Sequence, residues 1–192
     1  MTNHAIVSDP SENLILVDSE DREVGAASKG ECHAGQGMLH RAFSVFLFDS
    51  KQRLLLQRRS EDKPLWPLYW SNSCCSHPRQ GETIQIAAAR RLREELSVAC
   101  PLHFVYKFKY HAHFGEVGSE HELCHVLVGR YDGPIRANAN EIDATRLVAL
   151  ADIDAEIEAE GDRFTPWFKL EWGRVRDYLS SAPESLPEPS QF

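Results

Sequence analysis

The stretch Ser76 to Val98, SHPRQGETIQIAAARRLREELSV, constrains this chain more than any other. A loop with Pro and Gly runs into a helix that Thr83 can cap and that continues to about Leu96. Ile84, Ala88 and Leu92 recur at helical spacing and form an inner face, so the helix has to lie on a core. Positions 91, 94 and 95 stand at i, i+3 and i+4, so their charged side chains share one face.

The elements around this helix fix the class. Asn13 to Val17 reads as a strand followed by a charged turn; Ala42 to Phe48, the turn Asp49 to Gln52 and Arg53 to Arg58 read as a hairpin. His103 to Phe114 alternates strictly, with Phe104, Tyr106, Phe108 and Tyr110 on one face and Lys107, Lys109, His111 and His113 on the other. Glu122 to Arg130 is another strand, and Arg146 to Leu150 leads into a short acidic helix ending at Gly161. Thr165 and Pro166 start a last helix with Phe168, Trp172, Val175 and Leu179 as its buried stripe. The order predicts one α+β domain over residues 1–182, a mixed α/β sandwich, with 183–192 as a flexible Pro-rich tail.

Net charge of −8 disfavours nucleic acid. Yet Lys51 to Glu95 holds nine basic against five acidic residues, which fits either a small anionic ligand or a solvated basic face. MTNHAIVSDP has no basic start followed by an apolar run, and no apolar run spans a bilayer. The expectation is a soluble cytoplasmic protein, monomeric or homodimeric. Its five cysteines form no disulfide framework. The adjacent pair Cys74 and Cys75 is a poor disulfide, and the segment KPLWPLYWSNSCCSHPRQGE is a loop long enough to be functional.

From Ser76 the stretch is similar to the Nudix box, G-x5-E-x7-R-E-U-x-E-E-x-G-U with U aliphatic. It keeps Glu82, Arg90, Leu92, Glu94, Glu95 and Val98 and departs at Ser76, Arg91 and Ser97. Arg91 places a cation where hydrolases of that superfamily present a metal-binding carboxylate, and a guanidinium grips phosphate directly. The scaffold thus resembles a Nudix fold, a central mixed sheet flanked by helices, that holds a diphosphate without hydrolysing it. With His33 and His40 separated by six intervening residues, RRSEDK, WPLYWSNSCCSHP and EHE, the chain from about Leu14 to Trp172 resembles type I isopentenyl-diphosphate isomerases.

That resemblance implies an isomerase moving a C=C bond between isopentenyl and dimethylallyl diphosphate by proton transfer through a tertiary carbocation. It implies a divalent metal (Mg2+, Mn2+ or Zn2+) on His33, His40, His77, Glu120 and Glu122, and a second, diphosphate-bound Mg2+ at Glu95. Residue spacing is compatible: Cys75 and His77, and Glu120 and Glu122, each stand at i, i+2 and face one way in extended chain. It implies Cys75 and Glu122 as the acid/base pair, assisted by Tyr110, with Lys29, Arg59, Lys63 and Arg91 on the phosphates. Trp167 is either an aromatic face for the cation or helix packing. Arg58, Arg79 and the remaining histidines read as surface or structural residues, and Cys32, Cys74 and Cys124 as packing. The competing readings are a Nudix-type hydrolase of a diphosphate substrate and a non-catalytic metal- or phosphate-binding module.

Overall fold

The computed structural model describes residues 6–181, so the 183–192 tail expectation lies outside the described residues. Strands β1 (Asn13–Val17) and β2 (Glu23–Ser28) form an antiparallel pair. The short helix α1 (Lys29–His33) follows, with Ser28 and Glu31 closing a reciprocal cap. Next come β3 (His40–Phe48), β4 (Arg53–Arg59), β5 (Trp70–Ser71), β6 (Cys74–Ser76) and α2 (Ile84–Leu96). The chain continues through β7 (Leu102–Phe114), β8 (Gly118–Arg130), β9 (Ile142–Ala149), α3 (Leu150–Glu160) and α4 (Pro166–Ser181). Among the described residues, nine strands form one mixed sheet.

The centre of that sheet is β3. Its apolar run is buried on both faces, as a strand covered by helices on both sides must be. Alternate residues serve the two sides. Phe46 and Phe48 pack with Val126, Phe168, Trp172 and Val175 beneath α3 and α4. Phe43, Val45 and Leu47 pack with Ala88, Leu92 and Leu96 of α2. Thr83 caps α2 as expected, accepting a hydrogen bond from the Ile86 amide. No helix among the described residues is long and apolar enough to cross a membrane.

Three local expectations change. The β3 and β4 strands are not a laddered hairpin, because they pair only at Phe48 and Leu54. After that turn β4 runs along β9, from Arg53–Ala149 to Arg59–Ile142, while β3 lies parallel to β8. The alternation of β7 is broken by a bulge at Val105, which leaves Phe104 49% exposed against His125 while Val105 joins the core. The long loop before α2 contains β6, paired antiparallel to β3 from Phe43–Ser76 to Val45–Cys74. A three-residue strand with two cysteines offers too short an alternation to read in advance.

Helix α4 hangs on Phe168, which is fully buried and stacks on Phe46 at 6.0 Å. Phe168→Ala is expected to lower the unfolding free energy by about 3–5 kcal/mol, read from urea denaturation at unchanged slope. A loss below about 1 kcal/mol would show that α4 is held by other contacts.

Candidate active site

Five side chains converge at one end of β3 and β8. His33 ends α1, His40 begins β3, His77 follows β6, and Glu120 and Glu122 project from β8. One ligand atom from each lies within 4.8 Å of all the others. Donors on opposite sides of a cation with bonds near 2.1 Å stand about 4.2 Å apart, so the cluster is of ligand size. The backbone prepares the imidazoles. His33 Nδ1 lies 2.7 Å from the Lys29 carbonyl and His40 Nδ1 lies 2.7 Å from the Met38 carbonyl, which turns each Nε2 into the cluster, where His33 Nε2 stands 2.8 Å from Glu120 Oε2. His40 Nε2 is buried with no hydrogen-bond partner, a costly state that a cation would relieve. A Cβ on Gly118 would stand 2.4 Å from the His33 carbonyl oxygen, so only glycine lets β8 approach the end of α1 this closely.

The electrostatics agree with a cation site. Burial lowers His40 to about 4 and drives His77 well below the ordinary histidine range, so both imidazoles are neutral donors. Burial opposes charge on Glu120, but the neighbouring His33 outweighs it and brings the carboxyl down to about 2. Burial, and then the charge of Glu120, push Glu122 far above its ordinary value. A positive ion between the two carboxylates would reverse that repulsion.

Glu122 also belongs to a second constellation. Sheet register sets it opposite His40 on one side and Tyr110 on the other. The Tyr110 hydroxyl donates to Glu122 Oε2 at 2.7 Å, while Oε1 lies 2.9 Å from His77 Nε2. Cys75, Tyr110, Glu122 and Trp167 line a single cavity of about 650 Å3. Trp167 Nε1 donates to Cys75 Sγ at 3.2 Å, and the thiol donates to Asn72 Oδ1 at 2.8 Å. Burial, reinforced by Glu171, pushes the Cys75 thiol up to about 12. Cys74 points the other way into the α2 core, as alternation predicts.

The same cavity is lined by the cations Lys29, Arg59, Lys63 and Arg91. Burial, and then Lys63 and Arg91, lower Lys29 to about 8, so an anion there would be welcome. Arg59 donates to the Trp66 and Leu65 carbonyls at 3.0 and 2.8 Å and lies over the Trp167 ring at 5.2 Å. Arg91 is only 2% exposed, because Glu95 and Glu141 hold its guanidinium at 2.6 and 3.1 Å. Glu95 itself stands apart from the five-residue cluster, and its Oε1 accepts from Arg91 Nε at 2.8 Å. Arg90 and Glu82, both matching the Nudix-box pattern, brace the start of α2 through an ion pair at 2.8 Å.

Sequence reasoning missed four groups. Glu141 joins Lys63 to Arg91, yet it stands in a turn outside any motif, so only its fold neighbours reveal it. Asn72 and Ser44 touch the Cys75 thiol as polar residues inside apolar strands or a loop. Glu171 was visible as the residue one helical turn beyond Trp167, a carboxyl on the inward side of α4.

Fold and site together define a Nudix-type domain; the NUDIX domain matches residues 38–168. A crystal structure from Deinococcus radiodurans is similar at 26% identity, with a TM-score of 0.62 over 78% of this chain and 90% of that one. A MutT protein of Methanosarcina mazei shares the fold at 16% identity, with a TM-score of 0.61 over 73% and 94% of the two chains. "Isopentenyl-diphosphate Delta-isomerase 1" of Photorhabdus laumondii is 43% identical, over 85% of this chain and 94% of its own. The isopentenyl-diphosphate delta-isomerase of Nocardia farcinica is 46% identical, over 79% and 87%. The chain belongs to the isopentenyl-diphosphate isomerase family.

Metal binding is testable without turnover. Saturating Mn2+ or Zn2+ is expected to stabilise the protein by about 2.7 kcal/mol at a hundredfold excess over Kd. His40→Asn should abolish most of this rise in calorimetry. An unchanged rise would place the ion elsewhere.

Proposed function

We propose that this protein interconverts isopentenyl and dimethylallyl diphosphate by adding a proton to one carbon of an alkene and removing one from a neighbouring carbon. The observation that carries this reading is one cavity lined together by the Cys75 thiol, the Glu122 carboxyl, the Tyr110 and Trp167 rings and the four cations Lys29, Arg59, Lys63 and Arg91. An alkene has no acidic handle, so the reaction needs a positioned donor, a positioned acceptor and little water.

The diphosphate is bound by Lys29, Arg59, Lys63 and Arg91, of which Glu141 holds Lys63 and Arg91, and Glu95 holds Arg91, in place. The hydrocarbon end then reaches Cys75 and Glu122. One of the two gives a proton to the terminal alkene carbon, forming a C–H bond and a tertiary cation. The other takes a proton from the adjacent methylene, and those electrons form the new C=C bond. Roles exchange in the reverse direction. The Trp167 and Tyr110 rings, 6.3 Å apart, offer π-electron density to the cation in place of water. The Tyr110 hydroxyl steers Glu122 through its 2.7 Å hydrogen bond.

His33, His40, His77, Glu120 and Glu122 would hold a divalent Mg2+, Mn2+ or Zn2+, which supplies fixed positive charge that sets the acidity of the Glu122 carboxyl. Glu95 would share a second Mg2+ with the diphosphate. Arg91, buried between carboxylates, argues against hydrolysis, since it puts a cation where a hydrolytic helix would add a further metal-binding carboxylate. We read the protein as a cytoplasmic enzyme, monomeric or homodimeric, acting on a small molecule, without nucleic-acid or membrane partners.

Cys75→Ala and Glu122→Gln are each expected to lower kcat about 10²–10⁴-fold on isopentenyl diphosphate, with a smaller change in KM. Lys63→Ala should act the other way round, raising KM more than it lowers kcat. Turnover by both Cys75→Ala and Glu122→Gln within about tenfold of wild type would rule the pair out.

A further inference from the structure

Trp66, between β4 and β5, holds a conformation that a large side chain rarely adopts. Its φ is +48°, in the left-handed region, and Leu68 is there too at +61°. A residue other than glycine stays in that region only where its surroundings over-determine it. Pro67 contributes, because proline disfavours the right-handed helical conformation of the residue before it. The other constraints come from what Trp66 touches.

The turn is fastened to β4 through Arg59. The Leu68 amide donates to the Arg59 carbonyl at 3.1 Å, and the Arg59 amide donates to the Tyr69 carbonyl at 2.9 Å. The guanidinium adds two bonds: Nε donates to the Trp66 carbonyl at 3.0 Å and Nη2 to the Leu65 carbonyl at 2.8 Å. That edge of the planar fork is spent on the turn, and the Nη1 end is left for an anion. The Trp66 indole is only 4% exposed and lies behind the cavity wall. It stands edge-on to Trp167, with ring centres 5.3 Å apart at 88°, and packs on Phe114 of β7 at 5.2 Å. Trp167 does line the cavity, and its Nε1 is pinned 3.0 Å from Ser71 Oγ and 3.2 Å from Cys75 Sγ. Those contacts hold one end of the indole. The edge-on partner sets the plane of the ring, since aromatic pairs have a preferred geometry.

We propose that Trp66 is a positioning residue: its left-handed backbone presents the carbonyl that orients Arg59, and its indole sets the plane of the Trp167 ring. One residue thereby ties the cation assigned to the diphosphate to the aromatic face assigned to the hydrocarbon. This rests on the isomerase reading above. Trp66 reaches the reacting atoms only through Trp167. Its side chain therefore matters to the transition state, where positive charge develops on carbon, and its carbonyl matters to binding.

The test is kcat and KM on isopentenyl diphosphate for wild type, Trp66→Phe, Trp66→Leu and Trp66→Gly, each with circular dichroism to establish that it is folded. Leucine keeps apolar bulk without a ring. Glycine adopts the left-handed backbone freely and keeps the carbonyl that Arg59 uses. Trp66→Leu and Trp66→Gly should each lose about ten- to a hundredfold in kcat with KM within about threefold, and Trp66→Phe should stay within about threefold of wild type in both. In a Trp167→Leu background, where no ring is left to orient, Trp66→Leu should cost no more than about a further twofold. A purely structural Trp66 would lower stability and leave kcat of the folded enzyme alone. Unchanged kcat in folded Trp66→Leu or Trp66→Gly, equal losses in the Phe and Leu variants, or a full further loss in the Trp167→Leu background would overturn the proposal. Either of the Leu and Gly variants decides if the other does not fold. Wild type that fails to turn over isopentenyl diphosphate would instead overturn the isomerase reading.

Discussion

The register of β8 against its two neighbours is the constraint on which the rest depends. Parallel pairing with β3 sets Glu122 beside His40, and antiparallel pairing with β7 sets it beside Tyr110. A slip of one residue would turn His121 inward and both glutamates out. The slip is prevented by the core, because the same strand contributes Val126 and Val128 to the α4 side and Leu127 to the α2 side. Packing far from the cavity thus fixes which carboxylate meets the tyrosine and the imidazoles.

A second feature is the grouping of charge around the cavity. Lys29, Arg59, Lys63 and Arg91 line it, and Glu141 and Glu95 hold two of them rigid. Neutral His40 and His77 and a burial-raised Glu122 form a second group, beside aromatic side chains. On the proposed function, a flexible anionic substrate would be oriented by the first group while its hydrocarbon end meets the second. Arg91 links the two features. On a hydrolytic helix that position would present a carboxylate to metal, whereas here it presents a cation braced by its own helix.

Much of this was legible in the residues. Helical spacing and the Thr83 cap marked α2, and i, i+2 spacing separated Cys75 from Cys74 and Glu120 and Glu122 from His121. Pairing partners were less legible. The short turn after Phe48 looks like a hairpin, but the choice of β8 and β9 as partners is made by long-range packing that no local pattern records. The bulge at Val105 was hidden because two apolar residues in succession fit either register. Glu141 and Glu171 were missed since each acquires its meaning from partners distant in sequence, Lys63 and Arg91 for one, Cys124 for the other.

The central claim is that a Nudix-type domain here moves protons on carbon and leaves the phosphate bonds alone. Incubating the purified protein with isopentenyl diphosphate and Mg2+ in D2O, followed by proton and deuterium NMR, tests it most directly. The account predicts dimethylallyl diphosphate carrying deuterium in a methyl group, with no inorganic phosphate released. Unlabelled, unchanged substrate, or phosphate release without labelled product, would contradict it.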